Sequence, residues 1–349
     1  MFLKKPFVLG GIELPSNIFY APLAGCSDFA FRKMSAKFKP GLMFCEMVKM
    51  DALIRNDEGT FRMLEFSKDM HPIGGQICGS KPEIAGSCAK IIEDLGFDTV
   101  DLNCGCPVDK ITKDGSGSGM LKNPNRIGDV IANMVASVKI PVTVKIRAGW
   151  DDDSINAASI TEIAEKAGAK AICIHGRTRS QGYRGPANWD HIKACKEAAS
   201  SIHVIGNGDL YSPCDVKRMF EYTGCDAVLI ARGTMGHPWI CEDVVNFLEG
   251  KEVKTRSFRD NFEVLLEHFE EMKKYDSERR ILVGMRRISC WYIKNSFKAR
   301  EFREVLSHAK SIGEIEECLK VIKENYENAA FVEGFEEKEE NFDESCCIS

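Results

Sequence analysis

Short apolar runs rich in β-branched residues recur at residues 18–21, 42–45, 73–77, 99–102, 142–146, 171–174, 203–205 and 227–230, with helix-like periodicity between them. Runs of this length read as buried strands, and strands alternating with helical segments predict parallel βα units. Eight such units match a (β/α)8 TIM barrel, so the fold class is α/β. A doubly wound sheet is the alternative. Against it, the early glycine pair Gly10-Gly11 does not follow a strand in the dinucleotide-binding pattern. Later periodicity is helical, which predicts a barrel over residues 1–250 and a C-terminal helical domain over 251–330, and the Glu-rich composition of 331–349 predicts an acidic disordered tail.

Barrels gather their chemistry at the carboxyl ends of the strands. The first run ends in Pro22-Leu23-Ala24-Gly25, the third carries Gln76, the fourth Asn103 and Cys106, and the fifth Lys145 and Arg147. The sixth carries His175 and Arg177, the seventh Asn207-Gly208-Asp209, and the eighth Ala231-Arg232-Gly233. A lone histidine or lysine after a strand is ordinarily structural or a surface charge. Seven dressed exits at one end make a site. Gly208 and Gly233 open the last two loops, where barrels hold phosphate on backbone N–H groups, and Arg232 adds a fixed charge. FMN suits this set, with its phosphate on those loops, Gln76 and Lys145 toward the isoalloxazine, and the lysine favouring the charged reduced ring. A sugar-phosphate substrate without a cofactor is the other reading.

Charge changes this picture once it is located along the chain. The formal net charge of −5 hides a tail, residues 333–345, with seven acids and one lysine, so the body is close to neutral. Residues 273–303 hold ten Lys or Arg against three acids, interleaved with Tyr275, Trp291, Tyr292, Phe297 and Phe302. That run is either a solvated basic helix face or a phosphate-contacting surface, with Arg286 and Arg287 expected among the phosphate contacts. The fifteen cysteines sit singly in apolar patterns, as at Cys45, Cys173 and Cys241, and read as reduced core thiols. With no CxxC pair, a structural zinc site has no support and no metal is expected. No signal peptide or membrane span is legible, which predicts a cytoplasmic location.

The densest chemistry is Asp101-Leu102-Asn103-Cys104-Gly105-Cys106-Pro107, which leads into Lys110, Lys113 and the glycine-rich residues 115–119. Cys104 and Cys106 would point to the same side if the strand continued through both. This segment, together with Ala21-Pro22-Leu23-Ala24-Gly25-Cys26-Ser27-Asp28, Val144-Lys145-Ile146-Arg147, the stretch from His175-Gly176-Arg177-Thr178 to Trp189 and Gly206-Asn207-Gly208-Asp209, resembles the tRNA-dihydrouridine synthase family. The resemblance covers most of the chain. It implies a flavin-dependent oxidoreductase that reduces the C5–C6 double bond of particular uridines in tRNA, with FMN as cofactor and NADPH as reductant. Cys106 would donate the proton to C5, and Cys104 would pack. FMN contacts are implied for Pro22, Leu23, Ala24, Gln76, Lys145, His175, Asn207, Gly208, Asp209, Ala231 and Arg232. Asn103, Arg147 and Arg177 would serve the uracil, and Lys145, Arg147, His175 and Arg177 would offer positive charge to its carbonyls and to the flavin.

The resemblance implies a helical domain that holds tRNA across the barrel mouth, and it names no protein partner. An FMN-dependent small-molecule ene reductase and a non-catalytic tRNA-binding module are the competing readings. The basic helical segment disfavours the first, and intact Cys106 and Lys145 the second. The terminal Cys346-Cys347-Ile348-Ser349 formally matches a prenylation box, read here as incidental.

Overall fold

The computed structural model describes residues 2–294 and 298–329. The acidic tail, Phe297 and the terminal cysteine box lie outside the described residues. Two short strands, β1 (Phe7–Leu9) and β2 (Ile12–Leu14), precede the barrel strands β3 (Ile18–Tyr20) and β4 (Leu42–Phe44). A two-residue strand, β5 (Val48–Lys49), is followed by β6 (Ile73–Cys78), β7 (Thr99–Cys104), β8 (Val142–Arg147), β9 (Ala171–His175), β10 (His203–Asn207) and β11 (Ala227–Ile230). Eight of these pair in parallel as β3, β4, β6, β7, β8, β9, β10 and β11, and β11 returns to β3, closing a (β/α)8 barrel. The doubly wound alternative is excluded. β5 is an extra pairing on β6.

The ladders of β7 to β10 continue one or two residues past the apolar runs, so Asn103, Arg147, His175 and Asn207 are strand residues. Backbone pairing ignores side-chain polarity, and these side chains have a polar interior to face. The hairpin β1–β2 has no counterpart among the expected strands. Gly10 and Gly11 form its turn with φ +54° and +94°, the signs a two-residue I′ turn demands. Gly10 lies against Pro141 and Lys170, which precede β8 and β9, so the hairpin caps the amino-terminal end of the barrel. Its Phe7, Leu9 and Leu14 join Phe19, Leu42, Phe44, Cys173, Ile205 and Leu229 in one buried cluster inside the strands.

Alternation along each strand sends the other set outward. In β7, Val100, Leu102 and Cys104 pack with Ile92, Ile127 and Ile131 of the surrounding helices, while Asp101 and Asn103 face inward. Beyond the barrel lie four helices, Phe258–Tyr275, Glu278–Tyr292, Ala299–His308 and Ile312–Ala329. Ser257 caps the first with a reciprocal bond to Asp260. Apolar residues at helical spacing, Phe262, Leu265, Phe269 and Met272 on one helix and Ile281, Met285, Ile288 and Tyr292 on the next, build a second core. That core also takes Ala30, Phe31, Met235 and Trp239 from the barrel side. Arg256 in the connecting segment ties it down through Asp243 at 2.8 Å and the ring of Trp239 at 4.8 Å.

Gly74 of β6 tests the interior packing. A methyl group there would stand 2.5 Å from the Phe44 ring and 2.6 Å from Thr99 Oγ1. Gly74→Ala should destabilise the protein by about 1–3 kcal/mol, measured by urea denaturation; an unchanged midpoint would mean the interior is looser than its contacts indicate.

Candidate active site

The polar upper layer of the barrel is built by register. Gln76 of β6 pairs with Asp101 of β7, and Asp101 pairs with Thr143 of β8, so three inward side chains stand side by side. Asp101 accepts from Gln76 Nε2 at 2.7 Å and from Thr143 Oγ1 at 2.6 Å. Burial pushes its carboxyl up to about 6, with both hydrogen bonds and Lys145 pulling the other way. Gln76 Oε1 in turn accepts from Asn103 Nδ2 at 2.8 Å. Asn103 Oδ1 accepts from the backbone N–H groups of Gly105 at 3.2 Å and Cys106 at 2.9 Å. Asn103, expected at the uracil, therefore has its carbonyl committed to the loop that follows it.

That loop separates the two cysteines. Cys104 is fully buried on the outer face, its sulfur 3.7 Å from Met120 Sδ, and burial drives its thiol pKa well up. The chain then turns, so the two do not share a side as an extended strand would require. Cys106 is half-buried, and its carbonyl accepts from Ser118 N at 3.1 Å and Ser118 Oγ at 2.8 Å. Gly117 has φ +57°, and a Cβ there would meet Cys106 O at 2.9 Å, so this close approach needs glycine. Arg147 donates from Nε to Gly105 O at 2.8 Å and from one terminal nitrogen to Thr178 O and Gly182 O. It pins two mouth loops to the barrel.

Four cations crowd the same end. Half-buried Lys145 donates to Asn207 Oδ1 at 3.2 Å, and burial lowers its pKa. Burial also brings Arg147 down to about 10. Arg177 is buried and forms a bidentate pair with Asp209 at 2.9 and 2.7 Å, while Arg232 reaches Asp209 at 3.1 Å. Ala187 N donates to the same carboxylate at 2.7 Å. Burial works against the Asp209 charge, but these donors outweigh it and hold its pKa below the usual range. Asp209, expected on the cofactor, anchors the two arginines. His175, expected to add positive charge, does not. Burial first, then the four surrounding cations, push its pKa well below the ordinary value, so near neutrality it is an uncharged imidazole.

The remaining expected residues fall around this mouth. Pro22 and Leu23 are half-buried and Ala24 is exposed. The Leu23 side chain packs toward the second core, and its N–H is taken by Ser27 Oγ at 2.8 Å. Gly208, at φ +127°, gives its carbonyl to Trp189 Nε1 at 3.1 Å. Ala231 packs partly against the interior cluster. Two residues were missed. Glu46 dresses the second strand exit and accepts from Gly25 N at 2.5 Å. Tyr183 is exposed, with Arg232 4.7 Å and Arg147 5.8 Å from its ring centre. An aromatic flanked by glycines in a loop already bearing Arg177 was the available signal.

The sequence matches the family described as Dihydrouridine synthase (Dus) over residues 19–330. The chain belongs to the dihydrouridine synthase family. It is 35% identical over 297 residues to the probable tRNA-dihydrouridine synthase of Rickettsia bellii, covering 84% of this chain and 91% of that one. It is 34% identical over 325 residues to tRNA-dihydrouridine synthase B of Vibrio cholerae, covering 92% and 99%. Among solved structures it resembles histamine dehydrogenase from Rhizobium sp. 4-9, with a TM-score of 0.55 at 14% identity over 72% of this chain and 48% of that one. A 2-naphthoyl-CoA reductase gives a TM-score of 0.52 at 12% identity, over 71% and 52%. The chain spans about half the length of those two structures, and the likeness is one of fold.

In this dihydrouridine synthase chain, Asp101 supplies a stability test. A carboxyl raised to about 6 binds its proton more tightly folded than unfolded, where its pKa is about 4. It therefore stabilises the fold fully below the unfolded pKa and loses that contribution as pH rises through about 6. Asp101→Asn removes the titration. Its stability relative to wild type should improve by about 2–3 kcal/mol between pH 4 and pH 7, read by urea denaturation at each pH. A difference that does not vary with pH would show that Asp101 does not titrate in this window.

Proposed function

We propose that this chain is a tRNA-dihydrouridine synthase that uses FMN and NADPH, with Cys106 as the proton donor. The observation that carries the reading is the placement of Cys106. Its N–H and C=O are both fixed, and its thiol sits within electrostatic reach of Lys145 and Arg147 at a cationic barrel mouth. The donor set fits FMN: Lys145, Arg147, Arg177 and Arg232 face only Asp209 and Asp101 among the carboxylates bonded in this layer, leaving positive charge for a phosphate and an electron-rich ring. Bound FMN would supply the hydride for C6 of the uracil. Addition there builds charge toward C5 and O4, so an acid must reach C5. A thiol with an ordinary pKa of about 8.5 retains a proton at neutral pH, where an ordinary carboxyl has lost it. Lys145 and Arg232 would hold the flavin, with Gln76, Asn207 and Gly208 lining its seat. Arg147 and Arg177, through their carbonyl contacts, hold the loops that would surround the base.

The uridine must leave its stack to enter, and contacts to the rest of the tRNA offset that cost of a few kcal/mol. The C-terminal helices would provide them. Arg286 and Arg287, expected to meet phosphate, are engaged within the protein: Arg286 Nε donates to Ala309 O at 2.6 Å, and Arg287 bonds Gly25 O. Arg300 and Arg303 are exposed and one turn apart on helix Ala299–His308, and they are the better candidates. Among the described residues no helix is long and apolar enough to cross a membrane. A cytoplasmic location belongs to the same reading.

The deciding experiment is site-resolved mapping of dihydrouridine in tRNA incubated with the protein, FMN and NADPH. Cys106→Ala should keep flavin binding and NADPH-driven flavin reduction while dihydrouridine formation falls about 10²–10⁴-fold. Cys104→Ala should stay near wild type. Normal product from the Cys106 variant would place the proton donor elsewhere.

Affinity for tRNA should also fall steeply with salt. Charge reversal at Arg300 and Arg303 should weaken it and lower the slope of log affinity against log salt by about one to two, followed by filter binding. A slope unchanged by the double reversal would remove this helix from the RNA surface.

A further inference from the structure

The polar layer contains a chain of hydrogen bonds whose direction is set at both ends. At one end are two backbone N–H groups, of Gly105 and Cys106, which can only donate. At the other is Asp101, which as a carboxylate can only accept, and which takes donors from Gln76 and Thr143. Two primary amides lie between. Gln76 must offer nitrogen to Asp101, which leaves its oxygen for Asn103 Nδ2. Asn103 must then offer its oxygen to the loop. Reversing either amide sets donor against donor in a buried layer, where an unmade hydrogen bond is costly. Gln76, Asp101 and Asn103 are all buried, so water does not stand in for a missing partner as it would at the surface.

We propose that Asp101 is a positioning residue: it fixes the orientation of Gln76 and Asn103 and, through them, the backbone of the loop that carries Cys106. The inference rests on the proposed role of Cys106 only for its consequence in catalysis. The chain of contacts itself is independent of that role. Thr143 matters to its logic, because a hydroxyl can donate or accept.

In Asp101→Asn, the new amide can keep its oxygen toward Gln76 and give its nitrogen to the Thr143 hydroxyl, so the direction survives. In Thr143→Val, the Asp101 carboxylate still accepts from Gln76, and the direction again survives. In the double variant the introduced amide nitrogen has no acceptor at position 143. Either that nitrogen stays buried without a partner, or it turns to Gln76 Oε1 and reverses the Gln76 amide against Asn103; the two arrangements compete, and the orientation of Gln76, with Asn103 behind it, is no longer fixed. A role in packing or charge alone gives additive effects instead.

The test is hydrogen exchange at the Gly105 and Cys106 amides of the flavin-free protein, with the alkylation rate of Cys106 as a second reading. Each single variant should keep amide protection within about threefold of wild type, and the double variant should lose about tenfold or more. Thermal melting establishes that each variant is folded. Additive effects, or full loss in Asp101→Asn alone, would overturn the proposal. If the double variant does not fold, Gln76→Met breaks the chain at its middle. It should release the same two amides, and unchanged protection there overturns the proposal equally. Released amides with undiminished dihydrouridine formation would support the relay and strike instead at Cys106 as the acid.

Discussion

The constraint on which this structure depends is the strict alternation of side chains in a closed parallel barrel. Once β7 is hydrogen-bonded on both edges, its odd and even residues have one destination each. Val100, Leu102 and Cys104 go to the helices, and Asp101 and Asn103 to the interior. A slip of one residue would put a carboxylate among Ile92, Ile127 and Ile131, so the register of the whole polar layer is protected by the apolar layer outside it. The two cysteines show the consequence. Cys104, the last strand residue, is caught by the alternation and packs on Met120, whereas Cys106 follows a turn capped by Asn103.

The interior divides into an apolar floor and a polar ceiling. The hairpin β1–β2 closes the floor with Phe7, Leu9 and Leu14, so water cannot reach the upper layer from below through that cluster. The ceiling carries more cationic than anionic groups, and its few carboxylates are shared. Asp209 serves Arg177, Arg232 and the backbone of Ala187 at once. Sharing one anion leaves each guanidinium only partly compensated, and burial, then the surrounding cations, push the pKa of His175 well below its ordinary value. An excess of buried positive charge is unfavourable until an anion arrives, and a flavin phosphate has the required sign.

All eight barrel strands were legible from their short length, their β-branched residues and their recurrence between helical segments, although Gln76, Asp101, Thr143 and Lys145 interrupt the apolar runs. The hairpin was not. Its two three-residue strands alternate too briefly to register, and Gly10-Gly11 carried the signal only as a turn. The positions of the polar exits were legible too, but not their partners. Asp209 and Arg177 are 32 residues apart, and no spacing rule connects them. Charge at His175 was misread for the same reason: a pKa depends first on burial and then on neighbours brought from β8 and the later loops, which sequence order does not reveal. Asp101 and Thr143 went unassigned because their importance lies in pairing across strands.

The count of basic residues in segment 273–303 overstates what that segment offers to a polyanion. Lys273 is held by Glu270 and Glu316, Lys274 by Glu271, and Arg280 lies 3.9 Å from Asp276. Such exposed pairs are weak and a phosphate competes with them readily. Arg286 and Arg287 differ in kind, because their partners are backbone carbonyls of neighbouring elements. Gly25 is gripped at both ends, its N–H by Glu46 of the barrel and its C=O by Arg287 of the helices. A Cβ at Gly25 would collide with the Arg287 guanidinium. The loop after the first barrel strand is thus held jointly by the barrel and the helical segment, and part of the positive charge nearest the mouth is spent on joining them.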